Sequence, residues 1–151
     1  GMAQPALSLR ARALRSLARR EHTRSELRRK LAPHEETEGQ LDALLDALQA
    51  QGFLSDERAA ASLVHRRAAR LGTQRLRQEL QATGLDASTV EAALEGLGGT
   101  ELERARVLWE RKFGAPAPDA AGRARQVRFL LARGFASDTV RRVVRGVEDD
   151  F

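Results

Sequence analysis

The residues with the most reactive side chains are three histidines, His22, His34 and His65, and their spacing offers no reaction. None stands in an HExxH or comparable metal-ligand arrangement. His22 falls in a turn between helical stretches, His34 follows Pro33 in a loop, and His65 joins an Arg run. All three read as solvated or capping side chains. The carboxylate pairs Glu35-Glu36 and Asp149-Asp150 lie in loop and tail sequence with no base or nucleophile beside them. Roles at helix ends or in solubility fit them better than acid–base work. Gly96-Leu97-Gly98-Gly99 is glycine-rich, yet no strand precedes it and no Lys-Ser/Thr follows, so it reads as a linker rather than a phosphate loop. The sequence has no Cys, which removes disulfides, thiolate zinc sites and thiol nucleophiles together. The expectation is a protein that is not an enzyme, with no catalytic residue, metal site or cofactor.

Binding chemistry is far better represented. Of 26 basic residues, all but Lys30 and Lys112 are Arg, whose planar fork suits phosphate or carboxylate. The densest run is Arg66, Arg67 and Arg70, continued by Arg75 and Arg77 across Gly72. On a helix Arg66 and Arg70 stand one turn apart on a shared face. A second group is Arg19, Arg20, Arg24 and Arg28; a third is Arg123, Arg125 and Arg128, followed by Arg141, Arg142 and Arg145. Such clusters hold phosphates or acidic protein surface, or else form plain solvated faces. Only six aromatic residues are present, and Phe53, Phe113, Phe135 and Trp109 are placed as core residues, which argues against base stacking.

The elements that carry these arginines follow from charge and periodicity. Residues 1–31 carry net +7, 32–57 carry −7, 58–82 carry +5, 83–103 carry −5, and 104–145 carry +8. The last six residues, Gly146 to Phe151, add −3. Three basic–acidic cycles point to three repeats of about fifty residues. Shifting the chain by 49 superposes Leu27 on Leu76, Leu31 on Leu80, Leu41 on Val90 and Leu45 on Leu94. Shifting by 50 superposes Leu80 on Leu130, Gly84 on Gly134, Leu85 on Phe135 and Val90 on Val140. The third copy is longer, and the stretch Ala115 to Gly122 is the expected insertion.

Apolar residues recur at three- and four-residue steps with no convincing period of two, so the fold class is all-α. Each copy reads as three helices, the first two basic and the third acidic. In copy one, Leu7, Ala11, Leu14 and Ala18 line one face, and Thr23 with Glu26 forms a capping box before a helix ending at Leu31. Pro33 and Gly39 bracket a loop, then Leu41, Leu44, Leu45 and Leu48 build the third helix, closed by Gly52. Copy two is expected over 55–70, 73–83 and 87–97, with Ser88 and Glu91 as a capping box. Copy three is expected to start at Thr100, capped with Glu103, and to continue over 123–133 and 137–147. The resulting division is 1–6 as a tag or flexible segment, then repeats at 7–54, 55–99 and 100–151. Small three-helix cores must share surface, which favours an elongated, curved array. No window is long and apolar enough to span a membrane.

Three stretches carry a resemblance to a known family. They are Arg19-Arg20-Glu21-His22-Thr23-Arg24-Ser25-Glu26-Leu27 with Lys30-Leu31; Gly52-Phe53-Leu54-Ser55-Asp56-Glu57-Arg58 with Ser62, Val64, Arg67, Gly72, Arg75-Leu76-Arg77-Gln78-Glu79-Leu80 and Gly84; and Arg111-Lys112-Phe113-Gly114 with Leu130-Leu131-Ala132-Arg133-Gly134-Phe135. In order and spacing these resemble the RecX regulatory proteins of bacteria, across nearly the whole chain. Ala59, His65 and Thr73 depart from the pattern, where Phe, Arg and Pro are usual. The expected protein is cytoplasmic and monomeric, and the resemblance implies that it binds the RecA recombinase and its nucleoprotein filament. It implies inhibition of filament growth, ATP hydrolysis and strand exchange, with single- or double-stranded DNA touched weakly or through the filament. The alternative from the residues alone is a self-sufficient duplex-DNA-binding protein of helix–turn–helix type.

Overall fold

The computed structural model describes residues 6–145. Among them lie nine α-helices and no strand: α1 Leu9–Arg19, α2 Arg24–Leu31, α3 Gln40–Ala50, α4 Asp56–Arg67, α5 Thr73–Ala82, α6 Ala87–Glu95, α7 Glu101–Lys112, α8 Ala120–Ala132 and α9 Ser137–Arg145. A 3-10 turn, Ala32–His34, follows α2. Buried side chains fall into three separate clusters. One gathers Leu27, Leu31, Leu41, Leu45 and Leu48; the next Leu76, Leu80, Val90 and Leu94; the last Trp109, Leu130, Phe135, Val140 and Val144. The apolar residues that superpose under the repeat shift are therefore the ones that each three-helix unit buries. Most of the expected leading segment, the expected acidic tail with its Asp149-Asp150 pair, and the expected end of the last helix lie outside the described residues.

Local chemistry explains where most helices begin and end. Thr23 and Glu26 form the full reciprocal capping box at the start of α2. Ser55, Asp86 and Asp119 cap α4, α6 and α8, each side chain accepting a backbone N–H three residues on. At the end of α3, Gly52 adopts φ 81°, and Phe53 N–H donates back to Leu48 O at 2.9 Å. That is the Schellman arrangement, which needs a left-handed residue and here obtains it from glycine.

Several local expectations are corrected by the fold. The buried face of α1 is Leu9, Ala13 and Ser16, while Leu7 lies ahead of the helix and 43% exposed. Ser8 caps α1, so Leu7 lies outside the helix; of the stripe Leu7, Ala11, Leu14 and Ala18, Leu14 packs against the core while Ala18 is exposed. Ser88 sits inside α6, because the carboxylate of Asp86 reaches the Thr89 N–H first, at 2.8 Å. Thr100 makes no side-chain cap; its hydroxyl donates to Leu97 O at 2.7 Å and accepts from Arg104. The inserted segment ends at Asp119, and Gly122 lies buried within α8. The third helix of the third copy is basic, carrying Arg141, Arg142 and Arg145 against Asp138. Phe53 is 50% exposed, whereas Phe135 and Trp109 are buried as expected.

Successive copies meet through one recurring device. The first turn of the second helix in one copy receives a carboxylate and a helix-turn glycine from the next. In the first junction Asp56 accepts from Arg24 N–H at 2.8 Å, and Thr23 Oγ1 donates to Thr83 O, beside Gly84, at 2.6 Å. In the second, Glu101 accepts from Thr73 N–H at 3.4 Å, and Gly72 N–H donates to Arg133 O, beside Gly134, at 2.7 Å. Asp56 and Glu101 also stand at helix N-termini of their own, so each carboxylate sits near two helix starts and offsets their partial positive charge. Arg104 reinforces the second junction by reaching back to the end of α4.

Candidate functional site

The central arginines divide into two populations. α4 presents Arg66 on its exposed side, and Arg70 follows one turn later in the bend before α5. Among the described residues neither side chain makes a hydrogen bond or ion pair. Arg67 instead turns onto α5 and donates twice to Glu79, Nε and Nη2 each at 3.1 Å. Arg75 shares that carboxylate at 3.6 Å. Arg77 forms the same forked pair with Glu91 on α6, at 2.9 and 3.2 Å. The guanidinium hydrogen bonds hold Glu79 and Glu91 below the usual carboxylate range. Within this unit, then, Arg67 ties α4 to α5, Arg77 ties α5 to α6 and Arg75 supports Glu79 from its own helix, while Arg66 and Arg70 carry uncompensated charge. These pairs are partly exposed, and each contributes modestly to stability.

In the first copy Arg20 pairs with Glu26 at 3.2 Å, Arg24 with Asp46 at 2.7 Å, and Arg28 with Asp42. Arg19 stays exposed without such a partner among the described residues. In the third copy Arg123, Arg125 and Arg128 are all exposed along α8. Arg125 borders a hollow with Asp119 and Gln126 beneath the inserted segment. Gln126 is itself buried, accepting from the Trp109 indole N–H at 3.0 Å and donating to Ala115 O at 3.0 Å, which fastens that segment to the core. Arg67 meets a carboxylate 12 residues on, and Arg28 and Arg77 meet theirs 14 residues on. Those partners sit on a different helix in each case, too far along the chain for helix spacing to reveal them.

Between the first two copies lies a groove of about 290 Å³ lined by Arg20, Glu21, Ala59, Leu63 and Arg66. Ala59 is the small residue at the position where the sequence pattern leads one to expect Phe, and its size helps leave this space. Arg66 stands on the groove's rim. The only described histidine that is buried is His22, 4% exposed beside it, with Nδ1 at 3.0 Å from Arg20 O. Of the expected solvated or capping roles, the solvated one is corrected for His22: the ring is buried and faces the carbonyl of Arg20, the residue that closes α1.

Burial lowers the His22 pKa, and the nearby Arg20 charge adds to that, outweighing the backbone bond and Glu26. A folded-state value below the unfolded one means that protonation favours unfolding. Its contribution is fully present above the unfolded value near 6.5 and is lost as pH falls below it. Thermal unfolding followed by circular dichroism between pH 7.5 and 5.5 is expected to show a falling midpoint. His22→Gln is expected to flatten that slope while leaving the carboxylate-driven loss below about pH 4.5 in place.

Residues 10–48, 55–94 and 100–144 match, in order, the family models described as RecX, first, second and third three-helix domain. The chain belongs to the RecX family. It is 57% identical to the regulatory protein RecX of Leptothrix cholodnii over 142 residues, covering 94% of this chain and 90% of that one. It is 51% identical to the regulatory protein RecX of Ralstonia pickettii, covering 95% and 90% respectively. The crystal structure of RecX from Lactobacillus salivarius superposes with a TM-score of 0.76 at 20% identity, covering 93% of this chain and 94% of that one. At that identity the likeness establishes the shared all-α RecX fold. No helix among the described residues is long and apolar enough to cross a membrane.

Proposed function

We propose that this RecX chain is a non-enzymatic, cytoplasmic regulator that binds the RecA nucleoprotein filament and slows its growth, ATP hydrolysis and strand exchange. Family membership supports the regulatory role. The observation that carries the site is the pair Arg66 and Arg70, adjacent on the surface of the central copy and without acidic partners among the described residues. A guanidinium that has no internal partner gives up only water when it meets phosphate or carboxylate. Arg67, Arg75 and Arg77 serve the site from behind, by fixing the helices that present those two. Arg19, Arg20, Arg24, Arg28, Arg123, Arg125 and Arg128 extend the basic surface into the flanking copies.

Two measurements test this reading. RecA's single-strand-dependent ATP hydrolysis is titrated with the protein, beside anisotropy on the same naked DNA. Inhibition is expected well below the concentration that saturates naked DNA. Inhibition that appears only when the protein coats the DNA would reduce it to a competing DNA binder. The variant Arg66→Glu/Arg70→Glu is expected to weaken filament binding by more than about tenfold, ~1.4 kcal/mol, with helicity intact. Unchanged binding would remove the pair from the site.

A further inference from the structure

The second and third copies keep register except at one place. Along α4 and α7 the offset is 45, which sets buried Ala60 on Ala105 and Val64 on Trp109. Along α5 and α8 it is 50, which sets Leu80 on Leu130 and Gly72 on Gly122. The difference of five is the segment Ala115 to Asp119, which ends where α8 begins. In the second copy Gly72 is where the third copy docks. Its N–H donates to Arg133 O at 2.7 Å, and a β-carbon on it would stand 2.3 Å from the carbonyl carbon of Gly134. Its counterpart Gly122 meets the inserted segment in the same two ways. Gly122 N–H donates to Asp119 Oδ1 at 2.7 Å, and a β-carbon there would lie 2.7 Å from Ala117 Cβ. One backbone donor is thus satisfied by a neighbouring copy, and the equivalent donor by five inserted residues.

The core beneath is altered to hold the segment. Leu27 and Leu76 are fully buried in α2 and α5, and the third copy has Gln126 at that register. A buried amide needs partners, and Gln126 takes one from the segment. Its Nε2 donates to Ala115 O at 3.0 Å while Oε1 accepts from the Trp109 indole. The segment is therefore tied at both ends, by Gln126 at Ala115 and by Asp119 at Gly122. Between the ties, Pro116 and Pro118 help to enclose a hollow of about 370 Å³. Proline has no backbone N–H, so this stretch offers few donors to an incoming chain.

We infer that Ala115 to Asp119 is an internal cap. It occupies, on the third copy, the face by which a three-helix unit receives the next, and it closes that face to a further unit of the same kind, including one from a second molecule of this chain. Stacking repeats need such caps, because each unit otherwise presents a surface shaped to bind its like. Gly122 keeps the small residue that the docking of a next copy requires, while Gln126 and Asp119 hold the segment in that copy's place.

The test asks whether removing the cap reopens the face. Residues 96–145 are duplicated directly after Arg145, so the appended unit follows the third copy at the offset by which the third follows the second. The chain has no cysteine, so Val143→Cys in the appended unit alone, at a buried position, reports that unit's opening through its rate of thiol labelling. Deleting residues 115–119 from the resident third copy leaves five residues between Lys112 and Arg123, as between Arg67 and Thr73. The deletion is expected to slow labelling at least about tenfold, because the appended unit docks and gains protection. Adding Glu101→Ala to the appended unit should restore most of the rate, since Glu101 accepts from Thr73 N–H at the second junction. Equal rates with and without the cap, or slowing indifferent to Glu101→Ala, would overturn the inference. If the deletion abolishes helicity, Gln126→Leu in the resident copy decides instead, by cutting one tie and supplying the residue of the other two copies. It is expected to slow labelling about threefold, and an unchanged rate there would equally refute the cap.

Discussion

Replacing Gly134 by Ala is expected to detach the third copy from the second and to destabilise the protein by about 3–5 kcal/mol. Two independent costs combine at this position. Gly134 has φ +89°, a conformation that side-chain-bearing residues adopt only with strain. A β-carbon there would also lie 2.3 Å from Arg75 Cβ and 2.6 Å from its backbone nitrogen, at the first turn of α5. Neither neighbour can retreat, because α5 is pinned in the core by Leu76 and Leu80. Two further exchanges separate the costs. Gly72→Ala needs no unusual φ, yet its β-carbon would meet Gly134's carbonyl carbon at 2.3 Å, so it is expected to lose most of the same stability. Gly39→Ala has φ +85° and nothing within 4 Å, so it should lose only about 1 kcal/mol. Chemical denaturation with circular dichroism gives the ordering. If Gly39→Ala proved as damaging as Gly134→Ala, backbone strain alone would account for both, and the junction would carry no special weight.

The second large effect is expected at Arg104. This half-buried side chain crosses from α7 to the end of α4, where carbonyls lack helical partners. It donates to Ala68 O at 2.9 Å, to Leu71 O, and to Thr73 Oγ1 at 3.1 Å, while its Nε donates to Thr100 Oγ1. Its guanidinium carbon lies 5.9 Å from the centre of the Phe135 ring. Burial lowers its pKa from the ordinary value, with Glu101 opposing. Arg104→Met keeps the stem but strands two carbonyls, and is expected to cost about 3 kcal/mol. Arg104→Lys keeps a charge, but one ammonium with three donors on a single atom cannot span four separate acceptors, and it should recover less than half of that loss. Limited proteolysis should show cleavage of the Gly96–Gly99 linker earlier in the Met variant than in wild type. Equal stability of all three proteins would rule out the clamp.

Both effects concern the seams between copies, and those seams are the least legible part of the chain. Helices are readable because their determinants are local. Thr23 and Glu26 sit three apart, Gly52 follows the last leucine of α3, and the buried apolar residues repeat at helical spacing in every copy. Where two local signals compete, spacing alone points the wrong way. Asp86 and Ser88 are both good capping residues near the start of α6, and only the placement of the chain decides which oxygen meets the Thr89 N–H. The inward face of α1 escapes sequence reasoning for a similar reason, since its apolar residues surround much of the helix and the cap at Ser8 sets the start.

The arginines show the boundary most clearly. Composition and charge order determined that this is a basic, three-copy, all-helical chain, because charge and periodicity are sums over residues that need no geometry. Which arginine is available to a partner depends on whether a carboxylate or carbonyl from another helix reaches it. Arg67 meets Glu79, Arg77 meets Glu91, and Arg104 meets the carbonyls of Ala68 and Leu71, while Arg66 and Arg70 meet none among the described residues. Only folding brings those partners within hydrogen-bond distance. The tertiary structure therefore decided which arginines tie helices together, within a copy or across a junction, and which are left without an internal partner.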